Sequence, residues 1–331
     1  MTAAIPQARS ATASRWWRSA LHYGVKWIVG PILTIVAAAF VIYIALALSP
    51  GDPVSTILGS KATAEQRQAL RERLGLDEPV LVQFWNWFTS ALHGDFGFSF
   101  TFRQDVSTIV GPRLGTTAAL VVMSMVLILV FGIGLGIVGG IAKKSRALVS
   151  TTIGFLISIP SFVAASFLIG IFAVGLGWFP TFGAGEPGID RIWHLTLPAI
   201  ALAVGWVAYL AQISMSSITE ERNKEHVTTA IGRGLPFGLV LRKHILRNAG
   251  IPVLTASGLT LAALVAGSIV VETAFAVDGI GSLLVKSVLS KDQPVVAAIS
   301  LIIITVFVVM TTVVDILQVV LDPKLRKRSR R

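Results

Sequence analysis

The sequence predicts an all-α membrane protein with six transmembrane helices, and three observations carry that prediction. Hydrophobic residues make up 54% of the 331-residue chain and charged residues only 14%, against roughly 25% charged in a soluble domain. Six apolar segments, near residues 28–48, 116–141, 149–175, 194–213, 251–275 and 294–320, reach the about 20 residues of helix that a ~30 Å hydrocarbon core requires. Their apolar runs are continuous, without the period-two alternation of a membrane β-strand. Only a helix closes its own backbone hydrogen bonds inside such a run.

The elements follow in order along the chain. Residues 1–27 form a polar, Ala-rich segment ending in Trp16, Trp17 and Trp27, rings that prefer the membrane interface. The first apolar segment competes with a signal peptide, since Arg15, Arg18 and Lys26 precede it and Ala45-Leu46-Ala47 closes it. Its length exceeds the roughly 7–15 residues of a signal-peptide core, so it reads as a retained span. Residues 49–115 are the largest piece outside the membrane. That piece opens with Pro50-Gly51-Asp52-Pro53, which stops a helix. Thr63 to Leu74 reads as a helix with a capping box from Thr63 and Gln66, and Val80 to Leu92 as an aromatic amphipathic helix at the interface. The transmembrane domain runs over residues 28–320, with a polar loop at 214–250 and a basic tail at 321–331.

Positive charge sets the orientation. With six spans and an inside N-terminus, the inside segments hold 19 of the 28 Lys and Arg residues, so both termini are expected on the cytoplasmic side and residues 49–115 outside. The formal charge of +11 then follows from topology and from attraction of the tail to anionic lipid headgroups, and calls for no nucleic acid. The chain has no cysteine, which excludes disulfides and thiolate chemistry.

Catalytic motifs mostly dissolve on inspection. Gly134-Leu135-Gly136-Ile137-Val138-Gly139 fits a dinucleotide-binding GxGxxG pattern, but it lies inside a span with no strand before it. Gly132/Gly136 and Gly136/Gly140 are spaced for close helix packing. There is no phosphate-binding GxxxxGK[ST] and no HExxH, and His22, His93, His194, His226 and His244 show no metal-ligand spacing. Neither a catalytic residue, a metal nor a cofactor is expected on this chain. If ATP drives it, another chain binds the nucleotide.

Two carboxylates fall at or inside predicted spans, where a charge is costly and a functional role is the first hypothesis. Asp315 sits near the inner end of the last span and Glu272 near the outer end of the fifth. Each is a candidate for a translocation path or for orienting helices. The stretch Glu225 to Leu254 places a short helix among basic residues between two spans. On it Val227, Ala230, Ile231 and Gly234 fall at i, i+3, i+4 and i+7, a narrow stripe of small residues on which an outside partner could dock.

These residues amount to a resemblance. Glu225, His226, Val227, Thr229, Ala230, Ile231, Gly232, Arg233, Gly234 and Leu235 resemble the cytoplasmic loop of ABC-importer permeases, in which a small residue followed four positions later by glycine marks the coupling helix. The match is best with the B-type subunit of the peptide and nickel permease family. It extends to Gly51-Asp52-Pro53, Leu74-Gly75-Leu76-Asp77-Glu78-Pro79, Gly94-Asp95-Phe96-Gly97-Phe98-Ser99, Arg247-Asn248-Ala249, Val271-Glu272 with Gly279-Ile280-Gly281, Asp315, and Asp322-Pro323-Lys324, in register over residues 30–326. Gln212, Met215, Thr228, Ile231 and Pro236 depart from the family pattern.

The resemblance implies a type I importer permease fold with a helical extracytoplasmic insertion between the first two spans. It also implies pairing with a second, C-type permease, two cytoplasmic ABC ATPase subunits or domains that carry ATP and Mg, and an extracytoplasmic substrate-binding protein. Di- and oligopeptides are the cargo it implies first, with nickel chelates or other small polar solutes behind. A stand-alone secondary transporter is the competing class, and it would favour ionisable residues at the midplane and repeated broken helices.

Overall fold

The computed structural model describes residues 25–48, 54, 58, 62–73, 75–142 and 144–321. Gly51, Asp52 and Pro53 lie outside the described residues, as do the N-terminal segment before residue 25 and the tail from 322. Eleven helices and one two-stranded hairpin organise the described residues.

Helix α1 (Trp27–Ala47) is apolar throughout and largely unburied within the chain. Next comes α2 (Ala64–Arg73), opened by the expected capping box: Thr63 N donates to Gln66 Oε1 (3.0 Å) and Gln66 N to Thr63 Oγ1 (3.3 Å). Pro79 starts α3 (Val80–Leu92), which turns Phe84, Phe88 and Ala91 inward. Phe84 meets Phe40 of α1 edge-on at 5.1 Å and Tyr43 at 5.7 Å, so the insertion packs on the first span through aromatic rings. A short hairpin follows, β1 (Phe98–Ser99) against β2 (Gln104–Asp105).

The long helices form the body. They are α4 (Val106–Ile141), α7 (Ile189–Arg222), α9 (Phe237–Ala274) and α11 (Gln293–Leu321). All four begin before or extend past the apolar segments read from the sequence, because helix geometry continues beyond the hydrocarbon wherever the backbone can keep its own hydrogen bonds. The third predicted span, 149–175, differs in kind. It is two helices, α5 (Arg146–Ile157) and α6 (Ser161–Gly175), bent by 94° at the break. Pro160 has no N–H to continue the ladder and disfavours helical geometry in Ile159 before it. Counted as one span, the pair completes the set of six.

Helix α7 is the hub, packed on α4, α5, α6 and α9. Its seam with α4 is set by glycine. A Cβ at Gly132 would meet Leu210 and the Val207 carbonyl, at Gly136 the Ser214 Cβ and the Ala211 carbonyl, and at Gly140 Ile218. These three glycines, one turn apart, let the two backbones approach to contact, which is how helices associate where lipid removes the hydrophobic drive. Gly134, on another face, has nothing near it. The GxGxxG pattern is thus a packing surface for two of its three glycines, Gly136 and Gly139. Leu120, Ile128, Leu195, Leu210, Leu264 and Phe275 fill the core between α4, α6, α7 and α9.

Gly136→Val should therefore cost on the order of 3 kcal/mol of fold stability, seen as a lower melting temperature and loss of monodisperse protein in detergent. Gly134→Val, two residues away, should leave both unchanged.

Candidate functional site

The chain leaves α7 at Arg222, turns through Asn223 and Lys224, and forms α8 (Glu225–Gly232) before α9 begins at Phe237. Half of the small-residue stripe on α8, Val227 and Ala230, faces the chain itself and not a docking partner, while Ile231 and Gly234 stand exposed. Val227 is 0% exposed and Ala230 6%. Both pack on Ile218, Val240, Ile245 and Ala249 of the chain itself. What α8 presents to the outside is the other side: Glu225, Thr228, Thr229, Gly232 and Arg233 are exposed. At its tip an apolar cluster stands unburied, Ile231, Leu235, Phe237 and Leu239.

Gly234 ends α8 with φ +80°. Its N–H reaches the Ile231 carbonyl (2.9 Å) and the Leu235 N–H the Ala230 carbonyl (3.3 Å), the paired closure in which the left-handed residue is nearly always glycine. No atom lies within 4 Å of a Cβ placed there. Backbone conformation, and not crowding on a narrow stripe, is what calls for glycine.

Beneath α8 lies a carboxylate that the sequence reading passed over. Glu221, 5% exposed at the end of α7, binds Lys224 through one oxygen. Its other oxygen accepts from Asn248 Nδ2 of α9 (2.8 Å) and pairs with His226 Nε2 of α8 (3.2 Å). This partner holds the Lys224 ammonium above the ordinary lysine range. Arg222 donates to the Ile141 carbonyl at the end of α4 (2.6 Å), and Arg146 of α5 bonds Thr219. His226 and His244 come within 6.2 Å, ring to ring. Among the described residues no group of three or more His, Asp and Glu side chains is arranged to hold a metal.

A second buried carboxylate occupies the far end of α9. Glu272 is 0% exposed. It accepts from Thr117 Oγ1 of α4 (2.7 Å) and from the N–H groups of Gly281 (2.8 Å) and Ser282 (3.0 Å), in the first turn of α10 (Ile280–Leu289). Thr117 Oγ1 in turn accepts from Ile280 N (2.9 Å). An anion at a helix N-terminus satisfies donors that have no partner in the helix and meets the positive end of its dipole. A Cβ at Gly279 or Gly281 would strike this carboxyl, so the Val271-Glu272 and Gly279-Ile280-Gly281 motifs are two halves of one contact.

The Gly94-Asp95-Phe96-Gly97 motif builds the adjoining turn. Gly94 and Gly97 have φ +83° and +85°, and Asp95 Oδ1 accepts from Gly97 N (2.9 Å). The turn aims Ser99 Oγ at Asp292 Oδ2 (2.5 Å), which seats the hairpin on the loop before α11. Asp315, on α11, is exposed. Its neighbours Val314 and Leu317 line an apolar cavity of about 490 Å³ between α4, α7, α9 and α11, together with Met125, Ser214 and Leu261.

Residues 132–327 match the family of binding-protein-dependent transport system inner membrane components, and residues 20–121 match the N-terminal region of such membrane components. The chain belongs to this family of ABC-transporter permeases. It is 36% identical over 308 residues to the glutathione transport system permease protein GsiC of Escherichia coli (strain K12), spanning 92% of this chain and 99% of that one. The GsiC protein of Salmonella typhimurium is 37% identical over the same shares. These relatives place the permease in the peptide/nickel, dipeptide-type branch. In structure it resembles the inward-facing MetNI methionine ABC transporter with a TM-score of 0.53 at 16% identity, covering 65% of this chain and 96% of that chain. That likeness shows the type I importer permease fold. The permease is a multi-pass inner-membrane transport subunit and not an enzyme.

The structure brings the loop residues of the permease together at one end and Glu272 with the Gly94–Ser99 turn at the other. Asp315 joins neither group. Glu221 carried a faint signal, an acidic residue four positions before the loop helix with Asn248 in a motif already singled out, but only folding could bring two residues 27 positions apart into contact.

Glu272→Ala strips an acceptor from three buried donors and should cost about 3 kcal/mol or more, with Glu272→Gln in between, read as melting temperature in detergent. Gly234→Val should cost about 1–2 kcal/mol through its left-handed backbone and Gly234→Asn less, as the same melts will show.

Proposed function

We propose that this chain forms half of the translocation path of an ATP-driven importer of di- and oligopeptides. The observation that carries the reading is the α7–α9 loop. Helix α8 is anchored underneath, while Ile231, Leu235, Phe237 and Leu239 stand exposed beside Thr229 and Arg233. An apolar knob with a polar rim on a short rigid helix is suited to a groove on a soluble partner. The partner proposed is one of two cytoplasmic ABC ATPase subunits or domains, which carry ATP and Mg. A second, C-type permease completes the path, and an extracytoplasmic binding protein delivers the substrate.

The concentration of Lys and Arg in the segments on the α8 side supports a cytoplasmic α8, cytoplasmic termini and an extracytoplasmic α2, α3 and hairpin. The composition of the basic tail suits attraction to anionic lipid headgroups. Asp315, an exposed carboxylate on a membrane-crossing helix, belongs on a surface that faces water or the second permease, because lipid would charge several kcal/mol for it. Glutathione, named in the relatives, is itself a modified tripeptide, and a small-peptide path accommodates it.

Affinity purification from native membranes in mild detergent should recover the second permease and the ATPases. Reconstituted with the binding protein, the complex should take up labelled di-, tri- and pentapeptides in an ATP-dependent manner. Asp315→Asn should lower that uptake about tenfold with assembly intact. Uptake of glutathione or of a nickel chelate to the exclusion of peptides would overturn the cargo, and ion-driven uptake by this chain alone would overturn the importer assignment.

A further inference from the structure

We infer that Glu221 is a positioning residue for coupling: its carboxylate clamps α8 to α7 and α9, so that a push on α8 moves the spans instead of being absorbed in the loop. The inference rests on the proposed docking of an ATPase at α8 and deepens it.

Mechanical transmission requires that α8 keep its orientation relative to the spans when loaded. Its apolar attachment is slight. Val227 and Ala230 are the buried residues of this eight-residue helix, and small side chains bury little area. Beside the contact of His226 with His244, the polar attachment converges on one group. Glu221 is the penultimate residue of α7. Lys224 and His226, on the turn into α8 and in its first turn, bind its two oxygens, and Asn248 of α9 binds the same oxygen as His226.

Three elements thus meet on a carboxylate that is 5% exposed. A surface ion pair would add little rigidity, but a buried carboxylate with several partners resists their loss because any departure leaves a desolvated charge unpaired. The partners also lie in different directions, which fixes rotation of α8 as well as its distance. Helix α9 then runs unbroken in sequence to Glu272 and the cap of α10 at the far end. A displacement delivered at Glu221 therefore acts on the helix that carries the other buried carboxylate.

The native chain has no cysteine, so with any cysteines of the partner subunits replaced, a pair introduced here is the only labelled pair. Spin labels at exposed Thr228 on α8 and exposed Leu148 on α5 report whether α8 moves with the body or against it. In the complete transporter in lipid, the wild-type distance should stay narrow and unchanged between the apo and ATP-vanadate-trapped states. In Glu221→Ala it should broaden or shift on trapping while bound ATPase and ATP hydrolysis are retained, and peptide taken up per ATP should fall about tenfold. Glu221→Gln, which keeps an acceptor for Asn248, should recover part of both.

A Glu221→Ala distance distribution as narrow as wild type overturns the clamp, and so does parallel loss of hydrolysis and uptake with no change in distance. If Glu221→Ala does not yield folded complex, Asn248→Ala cuts the arm to α9 alone and is judged by the same two outcomes. Failure of the docking proposal looks different: no ATPase would remain bound to the wild-type chain.

Discussion

The contact between α4 and α7 is the constraint on which the rest of this permease depends. In lipid, apolar side chains gain nothing by leaving one hydrocarbon surface for another, so helices are held by close backbone packing and by hydrogen bonds. Gly132, Gly136 and Gly140 supply the close packing, each opposite a residue of α7 one turn further on. Because α7 also packs on α5, α6 and α9, fixing it against α4 fixes the position of those helices. The 94° bend between α5 and α6 is tolerable for the same reason, since both pieces lean on a helix that is already placed.

At the two ends of this framework, hydrogen bonding takes over from close packing. Glu221 on α7 and Glu272 on α9 are both buried carboxylates, and each stands where the chain turns a corner. A buried charge is costly unless every acceptor site is used. Glu221 is shared by Lys224, His226 and Asn248, and Glu272 by Thr117, Gly281 and Ser282. Carboxylates so enclosed tolerate few alternative arrangements, which gives the loops at either end defined shapes. The hairpin turn adds a third such point, where Ser99 reaches across 193 positions of sequence to Asp292.

Much of this was legible in the sequence. Continuous apolar runs gave the spans, and Thr63 with Gln66 gave the start of α2, because a capping box is a local contact made within four residues. The readings that changed were those in which local pattern left a choice of partner. The period of α8 puts Val227, Ala230, Ile231 and Gly234 on one stripe, yet Val227 and Ala230 are buried while Ile231 and Gly234 are exposed, because a small-residue face serves equally well against the chain's own core as against another protein. Gly234 falls on the small-residue stripe by its spacing, but its positive φ is what calls for glycine. The spacing of 149–175 suggested one span, although Ile159-Pro160 held the signal for a bend.

The sequence by itself determined that this chain is a helical membrane protein with its positive charge gathered on one side, because hydrophobic length and charge act residue by residue against the bilayer. It also carried the family motifs, whose residues lie close together along the chain. Only the tertiary structure decided which face of α8 is free, and that Glu221 meets Asn248 and Glu272 meets Thr117. It decided as well that glycines in one span exist to receive side chains of another. Those facts depend on burial and on donors contributed from distant parts of the chain, and neither is defined until the helices have packed.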